Sequence, residues 1–160
     1  MINKFVSLSV AAVAVSAAVV WAPQAQASGQ DETTVTATQY FRNDATGYCL
    51  DDSEQGTRTF PCNGLDYQYW AVGVQSDGTR TLKNIFTGKC LTSGQSGSVG
   101  TQSCDSLSRA QRWNVYKYSD GSVEFKNALW GLCLDDSADY HLRTFSCGTH
   151  TQHSPFQTWR

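Results

Sequence analysis

Two adjacent pairs of carboxylates, Asp51–Asp52 and Asp135–Asp136, each stand in the phrase Cys-Leu-Asp-Asp-Ser. Paired carboxylates are the equipment of glycoside hydrolysis, where one keeps a proton and the other stays ionised. Neighbours along a strand, however, point to opposite faces of the sheet, so neither pair suits that chemistry. An enzyme also needs one asymmetric constellation of nucleophile, base and oxyanion donors. Here the chemically interesting residues are duplicated, an arrangement that serves multivalent binding and not a single catalytic centre. His141, His150 and His153 occur only in the last part of the chain. The last two have a spacing fit for two metal ligands but no third ligand, so they read as loop residues, with no metal and no cofactor. The run "GQSGSVG" from Gly94 to Gly100 is neither a nucleophile elbow nor a phosphate-binding fingerprint, and reads as a loop.

The elements that position these residues come in three copies. "GYCLDDSEQGTRTFPC" starts at Gly47, "GKCLTSGQSGSVGTQSC" at Gly88 and "GLCLDDSADYHLRTFSC" at Gly131. The copies close on Gln-x-Trp at Trp70, Trp113 and Trp159, and each opens on an apolar-basic-Asn step at Phe41, Leu82 and Phe125. The units run over about 37–80, 81–123 and 124–160. Runs such as "TRTLKNIF" and "SVEFKNALW" are rich in strand formers, and no sustained 3.6-residue apolar period occurs. "SDG" at Ser76–Gly78 and Ser119–Gly121 predicts hairpins with positive φ at both Asp and Gly. Three short-stranded units of this kind predict an all-β fold with pseudo-threefold symmetry, a β-trefoil.

Six cysteines allow fifteen pairings, and the repeat favours one: Cys49–Cys62, Cys90–Cys104 and Cys133–Cys147, one disulfide per unit. Zinc ligation is the weaker alternative, since no Cys-x-x-Cys occurs. An oxidising compartment agrees with the start of the chain. Lys4 precedes an Ala- and Val-rich run from Phe5 to Trp21, and Ala25-Gln26-Ala27 offers a cleavage site before Ser28. Residues 1–27 are therefore expected to be a signal peptide and not a membrane span, 28–36 a flexible leader, and 37–160 the domain of a secreted, extracellular protein. Lys4 is the only charged residue before Ser28, which leaves 11 basic and 14 acidic residues. That balance excludes an electrostatic case for nucleic acid as a partner.

Three units with Gly-x-Cys-Leu, a second cysteine and Gln-x-Trp resemble the ricin B-type lectin domain, over almost all of the chain beyond Ser28. The resemblance implies a trefoil of twelve strands, tryptophans used as core, and carbohydrate binding at a pocket elsewhere in each unit. By that resemblance the first unit supplies Asp51, Arg58, Phe60, Tyr67 and Gln68, and the third Asp135, Arg143, Phe145, Phe156 and Gln157. The acid would accept sugar hydroxyls, the phenylalanine would offer its face to a C–H patch, and the other side chains would orient the ligand. The middle unit has Thr92, Gly100, Gln102, Ala110 and Gln111 at these places, and is expected to be structural.

Arginine and an aromatic stand where the family has an amide and Asn or His. Acid and arginine occur together in two units and are absent together from the third, so they are expected to be neighbours. They would form either a sugar clamp or a pair that closes the pocket, leaving a protein-interaction or inhibitory module. The arginine also suits a glycan that carries a carboxylate. A noncatalytic targeting subunit of a separate secreted hydrolase is a further alternative. One departure concerns closure: little chain follows Trp159, and the leader near Val35 is expected to cover the edge of the third unit.

Overall fold

The computed structural model describes residues 34–160. The expected signal peptide, and the expected leader up to residue 33, lie outside the described residues. Eleven strands follow in order: β1 (Thr34–Gln39), β2 (Cys49–Ser53), β3 (Gly56–Phe60), β4 (Trp70–Val74), β5 (Arg80–Asn84), β6 (Cys90–Ser93), β7 (Val99–Gln102), β8 (Trp113–Lys117), β9 (Val123–Asn127), β10 (Cys133–Ser137) and β11 (His141–Phe145). Short 3-10 turns at Asp66–Gln68 and Arg109–Gln111 precede the tryptophans of the first two units. No helix among the described residues is long and apolar enough to cross a membrane.

The core is written in triplicate. Phe41, Leu82 and Phe125 come from the opening steps, Leu50, Leu91 and Leu134 from the residues after the first cysteines, and Trp70, Trp113 and Trp159 from Gln-x-Trp. Each indole N–H donates to the carbonyl of its own unit's leucine, at 3.0, 3.2 and 3.2 Å. A buried tryptophan thus brings a large apolar area and has its one polar atom satisfied. The asparagine of each opening step is also buried and bonds across units. Asn43, Asn84 and Asn127 donate to the carbonyls of Phe156, Tyr67 and Ala110 at 2.8, 2.7 and 2.8 Å. The recurrent Asn step is therefore the joint between one unit's closing segment and the next unit.

Disulfides join Cys49–Cys62, Cys90–Cys104 and Cys133–Cys147, as the repeat favours and against zinc ligation. Three expectations need correction. First, β1 takes the last three residues of the expected leader and pairs with β4 of the first unit, Val35 opposite Gly73. The β-branched alternation Thr-Val-Thr favours a strand, and the free edge of β4 supplies the partners. Second, the third unit's edge is closed by its own last residues. Trp159 exchanges both backbone hydrogen bonds with Val123 at 2.9 Å, and Arg160 does so with Arg42 at 2.7 and 2.8 Å. The twelfth strand implied by the family is reduced to this short bridge, and the Arg160 side chain reinforces it through Asp44 and Asp120, each at 2.7 Å. Third, the "SDG" hairpins are not turns with positive φ at both positions. Only the glycines, Gly78 and Gly121, are left-handed. The Asp77 carboxylate accepts from the Thr79 N–H and hydroxyl at 2.9 and 2.6 Å, and Asp120 does the same with Ser122 at 3.0 and 2.7 Å. Each aspartate is held by its own side chain in an ordinary conformation, and the glycine alone turns the chain.

Candidate functional site

In the first unit, β2 and β3 form a hairpin in which Asp51 lies directly opposite Arg58. Asp51 is 1% exposed. One carboxylate oxygen accepts from Arg58 Nε at 3.3 Å and the other from Gln68 Nε2 at 3.3 Å. The Arg58 guanidinium carbon stands 4.3 Å from the centroid of the Phe60 ring, within cation–π range. The same side chain donates from Nη1 to Gln55 Oε1. Asp51, Arg58, Phe60 and Tyr67 line one cleft of about 290 Å³.

The third unit repeats this on β10 and β11, with Asp135 opposite Arg143. Asp135 is buried and accepts from Arg143 Nε at 2.9 Å and from Gln157 Nε2 at 3.2 Å. Arg143 lies 4.3 Å from the ring centroids of both Phe145 and Tyr140. Phe145 and Phe156 are 50% and 43% exposed, so both present ring area to solvent. The middle unit has Thr92 opposite Gly100, with neither an acid nor a guanidinium.

The glutamines belong to the scaffold as much as to the site. All three are buried, and all three clamp the segment after the second strand of their unit. Gln68 accepts from Asn63 N–H at 2.8 Å and donates to Pro61 O at 3.1 Å. Gln111 makes the same two bonds to Asp105 N and Ser103 O, at 2.9 and 3.0 Å, with no acid beside it. Gln157 makes them to Gly148 N and Ser146 O, both at 2.9 Å. In the outer units the remaining N–H reaches the aspartate, so Gln68 and Gln157 orient the acid from behind, away from solvent.

Sequence reasoning missed several residues here. Phe86, from the opening segment of the next unit, lines the first cleft and meets Tyr67 edge-on at 4.5 Å. Its place between Asn84 and Gly88 recurs, but Ala45 and Leu129 occupy it in the other units, so repetition gave no signal. Asn63, Glu54 and Gln55 also line that cleft. The second aspartates have a separate role. Asp52 and Asp136 are buried and point inward, where Asp52 accepts from Thr57, Thr87 and Thr101 at 2.6, 2.5 and 3.0 Å. Asp136 accepts from Thr46 and Thr59 at 2.5 and 2.7 Å.

Two of the histidines gather elsewhere, while His141 opens β11 opposite Ser137. His150 stacks on Tyr116 at 4.0 Å and His153 packs on Tyr118 at 4.3 Å. Tyr118 donates to the buried Glu124 carboxylate at 3.1 Å, and its pKa is pushed up to about 12, first by burial and then by the Glu124 charge. Glu124 also lies against Cys133 and Cys147, but those sulfurs are joined to each other and are not metal ligands.

A family model, the ricin-type β-trefoil lectin domain, matches residues 37–159. No curated protein sequence matches the chain. Among solved structures, the designed threefold symmetric protein ThreeFoil is similar with TM-score 0.67 and 20% identity, over 77% of this chain and 96% of that one. The ricin B-like lectin of Macrolepiota procera, solved with lactose, gives 0.63 and 13% over 80% and 96%. A GlcNAcα1-4Gal-releasing endo-β-galactosidase from Clostridium perfringens gives 0.67 and 18% over 77% of this chain but only 31% of the enzyme. At these identities the structural likenesses establish the fold, whereas the family match spans nearly all of the described residues. The chain belongs to the ricin-type β-trefoil lectins, a carbohydrate-binding and non-catalytic domain family.

Proposed function

We propose that this protein is a secreted lectin with no catalysis of its own, binding glycans through its first and third units. The observation that carries the reading is the recurrence, in those two units alone, of a buried aspartate, a guanidinium and an exposed aromatic ring at one place. Each aspartate oxygen accepts from one protein side chain, which leaves the carboxylate with further acceptor capacity. The first cleft, at about 290 Å³, is of a size for a sugar ring, and its aromatic walls match the C–H faces of a pyranose. The lactose complex of the Macrolepiota procera neighbour supports a saccharide as the ligand class. The leader-like residues 1–27 and the three disulfides support export.

One observation favours a second reading, a protein-interaction module with closed sugar sites. Arg58 and Arg143 already lie against the rings of Phe60 and Phe145 and hold the acids. A third role, targeting a separate hydrolase, draws on the Clostridium perfringens enzyme, in which this fold is a minor part. A glycan array with residues 28–160, beside the Asp51→Asn/Asp135→Asn variant, tests the proposal. Binding by the parent that is lost in the folded variant supports the lectin. A folded parent that binds no glycan overturns it in favour of a protein partner.

A further inference from the structure

The two outer sites carry the same residue types but do not offer the same chemistry, and the cause is one residue in a hairpin turn. Between the paired positions Ser53 and Gly56 the first unit has Glu54 and Gln55, whereas between Ser137 and His141 the third has Ala138, Asp139 and Tyr140. In the first unit the shorter turn brings Gln55 Oε1 onto Arg58 Nη1. In the third the extra residue brings Tyr140 onto Arg143 instead, so that this guanidinium carbon stands 4.3 Å from the ring centroids of both Tyr140 and Phe145. Its Nε is committed to Asp135 at 2.9 Å. Among the described residues no acceptor meets either Nη of Arg143, and the side chain keeps 26% of its surface exposed.

A guanidinium binds acceptors through its edges, in the plane of its N–H donors. With the Nε edge on Asp135, the edge left over is the end-on fork of Nη1 and Nη2. Two parallel N–H donors in one plane match a carboxylate oxygen for oxygen, and match no single hydroxyl as well. The two ring contacts reduce the water around the guanidinium, which strengthens such a contact, and help hold the side chain in place. Each hairpin turn carries one exposed carboxylate, Asp139 in the third unit and Glu54 in the first, so what separates the sites is the free fork of Arg143. Asp135 is already paired, Asp136 points inward to Thr46 and Thr59, and the exposed Asp139 is the remaining nearby carboxylate of the hairpin. The first cleft instead has a guanidinium whose Nη1 is capped, so it disfavours an added anion.

We infer that the third-unit site takes a carboxylate-bearing glycan on the Nη1–Nη2 edge of Arg143, while the first takes a neutral sugar. This rests on the lectin reading and assigns its two sites different ligand classes. The carboxylate can come from a uronic acid or from a sialic acid, which share the planar group and differ in its attachment.

The test first changes the ligand and then the arginine. Oligogalacturonate and a sialylated oligosaccharide, each beside its methyl ester, are titrated into residues 28–160 together with a neutral oligosaccharide panel. Amide shifts at Thr144–Phe145 report the third site and those at Thr59–Phe60 the first. The free acid is expected to move the third-unit signals, and esterification to weaken binding about tenfold or more, as loss of a charged hydrogen-bond pair does. Arg143→Lys keeps the charge, loses the fork and is expected to weaken the acid by a similar factor. Equal binding of acid and ester, or acid binding confined to the first unit, overturns the inference. If neutral sugars move the first unit and no acid moves the third, the inference fails and the lectin reading stands. If no saccharide moves either unit, both fail.

Discussion

The Trp130 indole N–H donates to the Ser93 carbonyl at 3.0 Å, at the one junction between units where a buried carboxylate is missing. At the two corresponding junctions a threonine hydroxyl meets an aspartate, Thr87 with Asp52 and Thr46 with Asp136, both at 2.5 Å. Ser93 keeps the hydroxyl link to Thr144 at 2.9 Å that Asp52 makes to Thr101 and Asp136 to Thr59. Aspartate with threonine and serine with tryptophan are thus two solutions to one joint. The former satisfies a buried carboxylate with hydroxyls, and the latter removes the charge and links the units through an indole N–H to a backbone carbonyl.

A double-mutant cycle reads this exchange. Asp52→Ser alone is expected to cost about 1–3 kcal/mol by leaving the Thr57 and Thr87 hydroxyls without their acceptor. Thr87→Trp alone is expected to cost about 1–3 kcal/mol by crowding the carboxylate. The double variant, which copies the Ser93–Trp130 joint, is expected to lose less than the sum, with a coupling of about 0.5 kcal/mol or more in urea unfolding. Strict additivity would mean that the joint is not an exchangeable pair.

On the proposed reading the middle unit supplies scaffold apart from Phe86, and its staple joins two cysteines that do not line the first cleft. Cys90→Ser/Cys104→Ser opens a loop of 14 residues' separation and is expected to cost about 3 kcal/mol of unfolding free energy. Glycan affinity of the folded fraction is expected to stay unchanged. A loss of binding in protein that is still folded would place a recognition element beyond Phe86 in the middle unit.

The hairpin aspartates make stability depend on pH at the acid end. Hydrogen bonds from Thr79, aided by Arg112, lower the Asp77 pKa from 3.8 to about 2, and Asp120 is lowered in the same way by Ser122 and Arg160. A carboxylate with a depressed folded-state pKa binds its proton more weakly in the native state. Its stabilisation is therefore present above pH 3.8 and is lost as the pH falls toward 2. The urea midpoint is expected to drop across that window, and Asp77→Asn to flatten the drop. An unchanged slope in the variant would show that other carboxylates govern acid unfolding.

Much of this was legible because repetition writes the same constraint three times. The spacing of Cys49, Cys90 and Cys133 and of the three tryptophans fixed the units, the disulfides and the core, since a residue needed by the scaffold recurs in every copy. The neighbourhood of Asp51 with Arg58, and of Asp135 with Arg143, was legible for the opposite reason, because both partners disappear together at Thr92 and Gly100. What recurs in one copy only was not legible. Phe86 reaches the first cleft from the next unit, and Tyr140 reaches Arg143 through one added turn residue. Neither periodicity nor composition reports such contacts across the chain. The "SDG" turns were misread because Asp-Gly specifies a two-residue turn only if the aspartate side chain is idle, and here it holds Thr79 and Ser122.

Phe86 therefore gives the sharpest test of where the first site ends. It lies outside the first unit, yet it lines the cleft with Asp51 and Phe60 and braces Tyr67 edge-on. Phe86→Ala removes a wall and leaves Tyr67 without its aromatic partner, an interaction of about 0.5–1.5 kcal/mol. The variant is expected to bind the first-site ligand about three- to tenfold more weakly, by isothermal titration, with third-site binding unchanged. Its side chain is 47% exposed, so the fold is expected to survive the change with a small stability loss. Unaltered first-site affinity would confine recognition to Asp51, Arg58 and Phe60, and would leave the ring of the neighbouring unit as packing for Tyr67.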